Sequence, residues 1–311
     1  MEEPHTKKGL IIFITALITT IFWVGLYLLN DQYEWVDLNN KKNEKTKEEE
    51  KEEIEDLNFD NKAYLNEMIN ENEINVDDDL NSAESTKKEA YLNDFDELST
   101  KLNQDITTKV DELKDKDTLT TIDMESFEDF LLTEIEDYND KLANLSSDAD
   151  FELSTIIVYN MPLSDYYYID NTEGTYFLGI NYAKIHNTFK NQLTEARRDY
   201  YVLKNEIYKN NNTNDLYKDA ALLGSWNEFK DIILDYDTYV EKYSSETKVK
   251  TEYDKLFDIY IGEFTLDNTP IYEDDEETIK DEVLSTYKDI VDNHTDFSRY
   301  EEVKEKYDEN K

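Results

Sequence analysis

An uncharged segment close to the N-terminus limits most strongly what this chain can fold into. Residues 9–29 read GLIIFITALITTIFWVGLYLL and contain no charged side chain. A helix of these 21 residues is about 31 Å long, which is enough to cross the hydrocarbon core of a bilayer. Trp23 and Tyr27 lie toward one end, where amphipathic rings favour the membrane interface. The segment therefore predicts one transmembrane helix, preceded by a short tail of residues 1–8.

A cleaved signal peptide is the alternative interpretation of the same segment. The apolar part of a signal peptide usually has only about 7–15 residues, and small residues mark its cleavage site. The apolar segment here is longer, and it ends in LYLLN, which offers no such site. We therefore favour a retained anchor.

The charges that flank residues 9–29 predict the orientation of this anchor. Lys7 and Lys8 precede it, whereas the only charged side chains within residues 30–37 are acidic. Because lysine beside a membrane span favours the cytoplasmic side, we expect the N-terminus in the cytoplasm and the C-terminal body outside. The lysines of residues 41–47 favour the inverted topology, that of a cytoplasmic, membrane-tethered scaffold, but they lie further away among glutamates. The absence of cysteine suits the extracytoplasmic placement.

A charged segment follows the anchor, and we predict that it forms a stalk over residues 30–85. Residues 31–87 hold 19 acidic and seven basic side chains, and the run KKNEKTKEEEKEEIE at 41–55 offers almost nothing to bury. Segments of this composition are disordered or only partly helical. Such a stalk would hold the remainder of the chain away from the membrane.

Apolar residues at helical spacing predict a pair of helices in residues 86–150. Thr86 and Glu89 fit a capping box at the start of the first helix. Its apolar stripe consists of Tyr91, Phe95, Leu98, Leu102, Ile106, Val110 and Leu113. The second stripe consists of Phe127, Leu131, Ile135, Tyr138, Leu142 and Leu145. Both stripes are typical of amphipathic helices with one side in a core, and the short connection between them favours antiparallel packing.

Residues 151–178 interrupt this helical pattern and allow two interpretations. The run STIIVY at 154–159 has the β-branched character of a strand, and residues 166–170 and 175–177 flank a turn-like NTEG sequence. These features fit a small β-hairpin that packs on helices. The other interpretation is an irregular, tyrosine-rich loop, which we favour slightly because Pro162 and Gly174 interrupt both candidate strands.

Residues 179–311 are expected to form the helical body. Between Tyr182 and Ile207, apolar side chains alternate at three- and four-residue steps, which predicts one long helix of coiled-coil type. Shorter stripes follow, and similar residues recur 51 or 54 positions apart: Tyr236 and Tyr287, Val240 and Val291, Val249 and Val303, Tyr253 and Tyr307. Duplicated helix pairs produce such matches, and periodic helices also produce them by chance.

The fold class predicted from the whole sequence is mainly α. It comprises a single N-terminal transmembrane helix, a charged stalk, and a multi-helix bundle or short α-solenoid, with or without one small β-hairpin.

Residue types that usually carry catalysis or hold cofactors are scarce. The chain has no cysteine, three separated histidines and six glycines, and it lacks the motifs HExxH, GxSxG, GxxxxGK and GxGxxG. We therefore predict no enzyme activity, no cofactor and no metal site. The 75 acidic residues leave a carboxylate-dependent hydrolase as an alternative, but they are too numerous to single out a catalytic pair.

The net charge of −42 limits the choice of partner. Nucleic acid is disfavoured because phosphate recognition needs clustered lysine and arginine. A basic or neutral protein partner fits better, and a homo-oligomer is also compatible with the sequence. Only three of the 33 basic residues are arginine, and together with abundant asparagine, isoleucine and tyrosine this composition is typical of an AT-rich bacterial genome.

Three features were considered as candidate sites. Tyr166, Tyr167 and Tyr168 form the densest aromatic cluster, and we predict a weak partner-binding patch there, with core packing or loop anchoring as the commoner role of such residues. His186 lies beside an apolar stripe and is expected to be a hydrogen-bonding residue at the core edge. The pair Arg197-Arg198 is expected to form local ion pairs.

These observations predict a bacterial, membrane-anchored, single-pass protein of the cell envelope, whose extracytoplasmic helical body binds or assembles other proteins and does not catalyse a reaction.

Overall fold

The computed structural model describes residues 54–76, 80–273 and 278–311. This part of the chain is mainly helical and contains two small antiparallel hairpins, which confirms the mainly α prediction. The proposed anchor at residues 9–29 lies outside the described residues. Within them, no helix is both long enough and apolar enough to span a membrane.

The described helices and strands are numbered here in chain order. The helices that precede the first strand are α1 (Ala63–Glu71), α2 (Ser82–Lys114), α3 (Thr121–Glu134), α4 (Glu136–Asp148) and α5 (Phe151–Asn160). A hairpin of β1 (Tyr167–Thr172) and β2 (Thr175–Ile180) follows, then α6 (Tyr182–Phe189) and α7 (Glu195–Asn211). A two-residue hairpin of β3 (Tyr217–Lys218) and β4 (Ala221–Leu222) leads to α8 (Trp226–Lys242), α9 (Thr247–Tyr260), α10 (Asp281–Asn293) and α11 (Tyr300–Asn310).

The prediction of a stalk up to residue 85 is wrong for its C-terminal part, because residues 54–71 dock on the body. The backbone N–H and C=O of Leu57 both bond to the Asn187 side-chain amide, each at 2.8 Å. Phe59 stacks on Tyr208 with ring centroids 3.8 Å apart, and Leu65 in α1 is fully buried. Residues 54–71 hold eight apolar and six charged side chains, and the apolar ones anchor the segment, which the composition averaged over residues 30–85 conceals.

Amide exchange provides a test of this docked segment. We expect slow exchange at the Leu57 amide, because its hydrogen bond to Asn187 must open first. The variant Asn187→Ala should exchange much faster at Leu57, whereas Asn191→Ala, at an exposed position of the same region, should change nothing. Equally fast exchange at Leu57 in the parent and in both variants would show that the segment does not dock in solution.

The two predicted stripes of residues 86–150 are confirmed as core positions, although the helix boundaries differ. Asn81, not Thr86, caps α2: its side chain accepts from Glu84 N at 3.1 Å, and Glu84 bonds back to Asn81 N at 3.0 Å. The second stripe is divided between α3 and α4, because Ile135 ends the first of them. Its residues nevertheless stay buried, so the apolar spacing predicted the core-facing side correctly.

The preference for an irregular loop in residues 151–178 is wrong. The run STIIVY lies in α5, capped by Asp150, and it is buried on nearly all sides, so burial outweighs the strand propensity of its β-branched residues. Tyr167 and Tyr168 lie in β1 and Tyr176 lies in β2; the two strands form a hairpin, and Tyr166 precedes it. Pro162 precedes β1 and so does not interrupt it. Gly174 does not interrupt a strand either, because it forms the two-residue turn together with Glu173, at φ of 83° and 49° respectively.

The single helix predicted from Tyr182 to Ile207 is divided into α6 and α7. Residues 190–194 leave the helix and pair with the α2–α3 connection, where Leu119 N donates to Gln192 O at 2.7 Å and Thr194 N donates to Leu119 O at 3.2 Å. Asn191 and Thr194 are residue types that favour helix ends. The regular three- and four-residue spacing of the apolar side chains gives no indication of this break. Phe189 and Leu193 remain buried on either side of the break.

Shortening the side chain of Leu193 tests whether the apolar side chains between Tyr182 and Ile207 belong to the core. Its side chain is 4% exposed, so Leu193→Ala should leave a cavity and lower the free energy of unfolding by about 2–5 kcal/mol. Leu193→Glu should cost more, because the new charge has no partner. As the control, Glu195→Ala removes a solvent-exposed partner of Lys242 and should leave the melting temperature nearly unchanged. An unchanged melting temperature for a monomeric Leu193→Glu variant would contradict the core assignment.

The two predicted helix pairs of the C-terminal body are present as α8–α9 and α10–α11. Tyr236 and Tyr287 are both fully buried, as are Val249 and Val303 at the start of each second helix. However, Tyr236 donates to Glu252 whereas Tyr287 donates to the carbonyl of Tyr260, so equivalent residues make different hydrogen bonds. A true duplication stays a prediction.

Candidate functional site

The predicted tyrosine patch lies inside the protein. Tyr166, Tyr167 and Tyr168 are 8%, 0% and 4% exposed. Their hydroxyls bond to Thr188 Oγ1, to the Leu131 carbonyl and to Thr213 Oγ1, at 3.0, 2.9 and 3.1 Å. This placement corresponds to core packing and loop anchoring and leaves little of these rings for a partner to contact.

The loop anchored by Tyr168 forms one wall of a cavity of about 280 Å³. The cavity lies between the C-terminal end of α7, the loop of residues 212–217 and one side of α9. Ile207, Leu216 and Leu256 give it an apolar lining and are all buried. The remaining lining residues are polar or aromatic: Asn214, Asp215, Tyr217, Glu252 and Lys255. We refer to it as the α7–α9 cavity.

The hairpin β1–β2 holds the loop in place. Tyr168 Oη accepts from Asn214 N at 3.0 Å, and Thr213 Oγ1 donates to Asp170 Oδ2 at 3.0 Å. Asp170 is fully buried and is neutralised by Lys218. Asn212 ends α7 in the left-handed conformation with φ of 56°, which asparagine tolerates better than most residues. The loop is thus fixed by specific hydrogen bonds.

A buried ion pair lies next to the cavity lining. Lys204 Nζ lies 2.9 Å from Glu252 Oε1, and Tyr236 Oη donates to the same oxygen at 2.8 Å. Burial alone would raise the pKa of Glu252, but the charge of Lys204 and the hydrogen bonds from Lys204 and Tyr236 outweigh it, so this pKa is lowered. Glu252 is therefore a carboxylate at neutral pH.

Three residues of the cavity carry four oxygen atoms that have no hydrogen-bond partner among the described residues. The Asp215 carboxylate, which lies at an exposed position, accepts no hydrogen bond and forms no ion pair. Glu252 uses only Oε1, which leaves Oε2 free. Asn214 is 7% exposed, donates to the Ile180 carbonyl at 2.7 Å and keeps its Oδ1 unpaired. Desolvation raises the pKa of Asp215 and is the largest cause; the charges of Lys204 and Lys218 oppose this shift, and those of Asp170 and Glu252 add to it.

Arg197 forms a second polar cluster, which links α3, α7 and the start of α9. It is 1% exposed, and its Nη2 lies 2.8 Å from Glu125 and 3.4 Å from Glu246. Its Nη1 lies 3.8 Å from Glu128, whose pKa is raised by burial. The prediction of local ion pairs for Arg197-Arg198 is wrong: Arg197 forms buried ion pairs with carboxylates from distant parts of the chain, and Arg198 donates to backbone carbonyls. We assign this cluster a structural role.

His186 is also buried, as predicted. It is 2% exposed, and its Nδ1 lies 3.0 Å from Asn187 Oδ1, the oxygen that also accepts from Leu57 N. Desolvation lowers its pKa, so the ring is neutral at physiological pH. Within the part of the chain that the structure describes, no group of three or more histidine and carboxylate side chains is placed to hold a metal ion.

Comparisons with protein-family models, with curated proteins and with solved structures find no match for this chain.

Sequence reasoning missed the α7–α9 cavity, because its polar residues come from two regions about forty positions apart in the chain. No motif connects Asp215 with Glu252. The one local signal is the polar run NNNTND at 210–215, which marks the end of α7 but not the chemistry of the loop after it.

Proposed function

We propose that this protein is a membrane-anchored, single-pass binding protein of a bacterial cell envelope, whose extracytoplasmic helical body captures a basic protein partner without catalysis. The anchor is inferred from residues 9–29 and the orientation from the lysines before them. The helical body supplies the rigid surface on which the partner is bound.

The distribution of charge in the folded body carries this proposal. Its buried cations, Arg197, Lys204 and Lys230, are all held in internal ion pairs. Acidic residues greatly outnumber basic ones. Lys204 and Lys218 lie close enough to act on the charge of Asp215 at the α7–α9 cavity, but among the described residues no cation forms an ion pair with its carboxylate. The body therefore attracts positively charged surfaces and repels anionic ones, and the cavity offers a defined point of contact.

Site-directed photo-crosslinking in intact cells tests the binding function. A photoreactive amino acid at Tyr217, which is 40% exposed and lines the cavity, should capture one discrete partner protein. Phe151 is 43% exposed and does not line the cavity, so the same probe there serves as the control. The crosslink to this partner should disappear at high salt, because salt screens the attraction between exposed charges. Absence of any adduct specific to Tyr217 would contradict a binding function at this cavity.

Protease accessibility tests the topology. Protease added to cells stripped of their wall should remove the body and leave the anchor in the membrane. Full protection of the body until lysis would instead support the inverted topology and a cytoplasmic scaffold.

A second candidate function is a carboxylate-dependent hydrolase. One observation favours it: Asp215 and Glu252 line the same cavity, and their pKa values are shifted in opposite directions, as in many acid–base pairs. Binding without catalysis remains the better proposal, because Lys204 and Tyr236 both occupy Glu252 Oε1 and hold this carboxylate in its ionised form.

A further inference from the structure

We propose that the α7–α9 cavity binds a primary ammonium group at the end of an unbranched apolar stem, as presented by a lysine side chain of the partner. This inference rests on the proposed function, because it names the chemistry by which a basic partner would be recognised. A free alkylamine has the same chemistry and is distinguished from lysine by the experiment below.

The size of the cavity limits the ligand to one extended group. Its volume of about 280 Å³ lies just below the range of roughly 300–1,000 Å³ that is usual for small-molecule sites. Ile207, Leu216 and Leu256 are 1%, 6% and 7% exposed and line it with apolar atoms. Four methylene groups of a lysine stem fit such a lining, with the charged end at polar atoms.

The free acceptors match the donors of an ammonium group. Asp215 provides an unpaired carboxylate, Glu252 provides Oε2 and Asn214 provides Oδ1, so three residues offer acceptors. An ammonium group has three N–H donors, whereas a guanidinium has five in a rigid plane. We therefore expect an ammonium group, whose three donors can each meet a different residue, to bind better than the rigid, planar guanidinium of arginine. The unpaired Asn214 oxygen is an independent indication of a ligand, because a buried acceptor without a partner is costly.

Two lysines near the cavity affect the charge balance differently. Lys204 is 7% exposed and is committed to Glu252 and to the Asn214 carbonyl. Lys255 lines the cavity at an exposed position and forms no ion pair among the described residues. As a like charge beside the ligand, Lys255 weakens binding in this proposal and contributes no contact. Tyr217, at the same cavity, provides an aromatic face for the incoming cation.

Calorimetric titration of the full-length protein in detergent micelles tests the proposal. The probes are Nα-acetyl-lysine amide, its norleucine and arginine counterparts, and butylamine. We expect the lysine probe to bind more tightly than the arginine probe and the norleucine probe not to bind. Tighter binding of the lysine probe than of butylamine identifies a protein side chain as the source of the ammonium group, and the reverse order identifies a free amine.

Two variants locate the bound group. Asp215→Asn removes the negative charge of this carboxylate without changing the shape of the side chain. It should lower the affinity for the lysine probe by about tenfold or more. Asp219→Asn makes the same chemical change in the β3–β4 turn, at a φ of 51° that asparagine also adopts, and should leave affinity unchanged. Lys255→Gln should strengthen binding by roughly two- to fivefold, because it removes a like charge.

Several results would overturn the proposal. These are equal binding of the norleucine probe, preference for the arginine probe, loss of affinity in Lys255→Gln, or no binding by a parent protein whose melting temperature is normal. If the lysine probe fails while the Tyr217 crosslink to a basic protein persists, the ammonium site is wrong and the binding function stands. If both fail, the binding function is wrong as well.

Discussion

The protein should unfold cooperatively when the pH rises above 10, and its tyrosines should ionise in the same step. The tyrosines that are buried and have a pKa raised by burial are Tyr91, Tyr138, Tyr166, Tyr167, Tyr168, Tyr176, Tyr200, Tyr201, Tyr208, Tyr236, Tyr239, Tyr253, Tyr260 and Tyr287. For Tyr176, burial raises the pKa to about 12. The folded state therefore keeps protons that the unfolded chain releases near pH 10.

The direction of this effect follows from proton linkage. Because the folded pKa values are raised, their contribution to stability is fully present below pH 10 and is lost as the pH rises toward the folded values. One unit above the unfolded pKa, a tyrosine whose folded pKa lies well above that pH lowers the free energy of unfolding by about 1 kcal/mol. Ten such tyrosines would together remove roughly 10 kcal/mol, which is comparable to the whole stability of a typical domain at about 5–15 kcal/mol.

Tyrosinate absorbance and circular dichroism, recorded together during an alkaline titration, check this expectation. The two signals should change at the same pH and more steeply than a single-proton titration. The same titration in concentrated denaturant provides the reference for ordinary tyrosine ionisation. A gradual rise in tyrosinate near pH 10 with unchanged circular dichroism would show that these hydroxyls are not buried in solution.

Replacing Arg197 should have the largest effect of any single cation-removing substitution in the body. Arg197→Met removes the cation that pairs with Glu125, Glu128 and Glu246 and, among the described residues, leaves only the more distant Lys248 near Glu128. Removal of one partner from a buried pair costs about 3–5 kcal/mol. Arg198→Met is the matched control. Arg198 is only half buried and bonds to carbonyl oxygens at 3.2 and 3.5 Å, so its loss should cost about 1 kcal/mol.

The pH dependence of the Arg197→Met variant adds a second readout. Burial already raises the pKa of Glu128 in the parent protein, and loss of the guanidinium removes the charge that opposes this shift. Because the folded state then retains protons that the unfolded chain releases, stability should fall as the pH rises through the ordinary glutamate value of 4.5. The loss of unfolding free energy in Arg197→Met, relative to the parent, should thus be smaller at acid pH. Adding Glu128→Gln to the variant should recover part of this free energy at neutral pH. A loss that does not depend on pH would identify a packing defect instead.

The placement of the candidate site could not have been predicted from the residues that form it. Lys204, Asn214, Asp215 and Glu252 are ordinary polar residues of an acidic chain, and the pKa shifts of the two carboxylates arise only when α7, the loop and α9 meet. The tyrosine cluster at 166–168 was noticeable in the sequence, but its function is internal: Tyr168 fixes the loop whose other side lines the cavity.

Apolar spacing by itself determined which sides of the helices face the core. The stripes from Tyr91 to Leu113 and from Phe127 to Leu145 are buried almost completely. Apolar residues spaced three and four positions apart lie on one side of a helix, and this side packs against the core. Spacing could not determine where a helix is interrupted. The break at residues 190–194 leaves the apolar rhythm intact and depends on backbone pairing with Leu119, more than seventy positions away.

Composition determined charge and helical content, but it did not determine which charged segments are docked. Residues 54–71 belong to a segment whose average composition is strongly charged, yet Leu57 and Phe59 hold them against the body through contacts with residues more than a hundred positions away, and Leu65 is fully buried. The same holds for Arg197, which the sequence presents as an isolated basic residue. Only the tertiary structure surrounds it with three carboxylates, because a charge inside a protein is stable only where distant segments bring compensating charges to it.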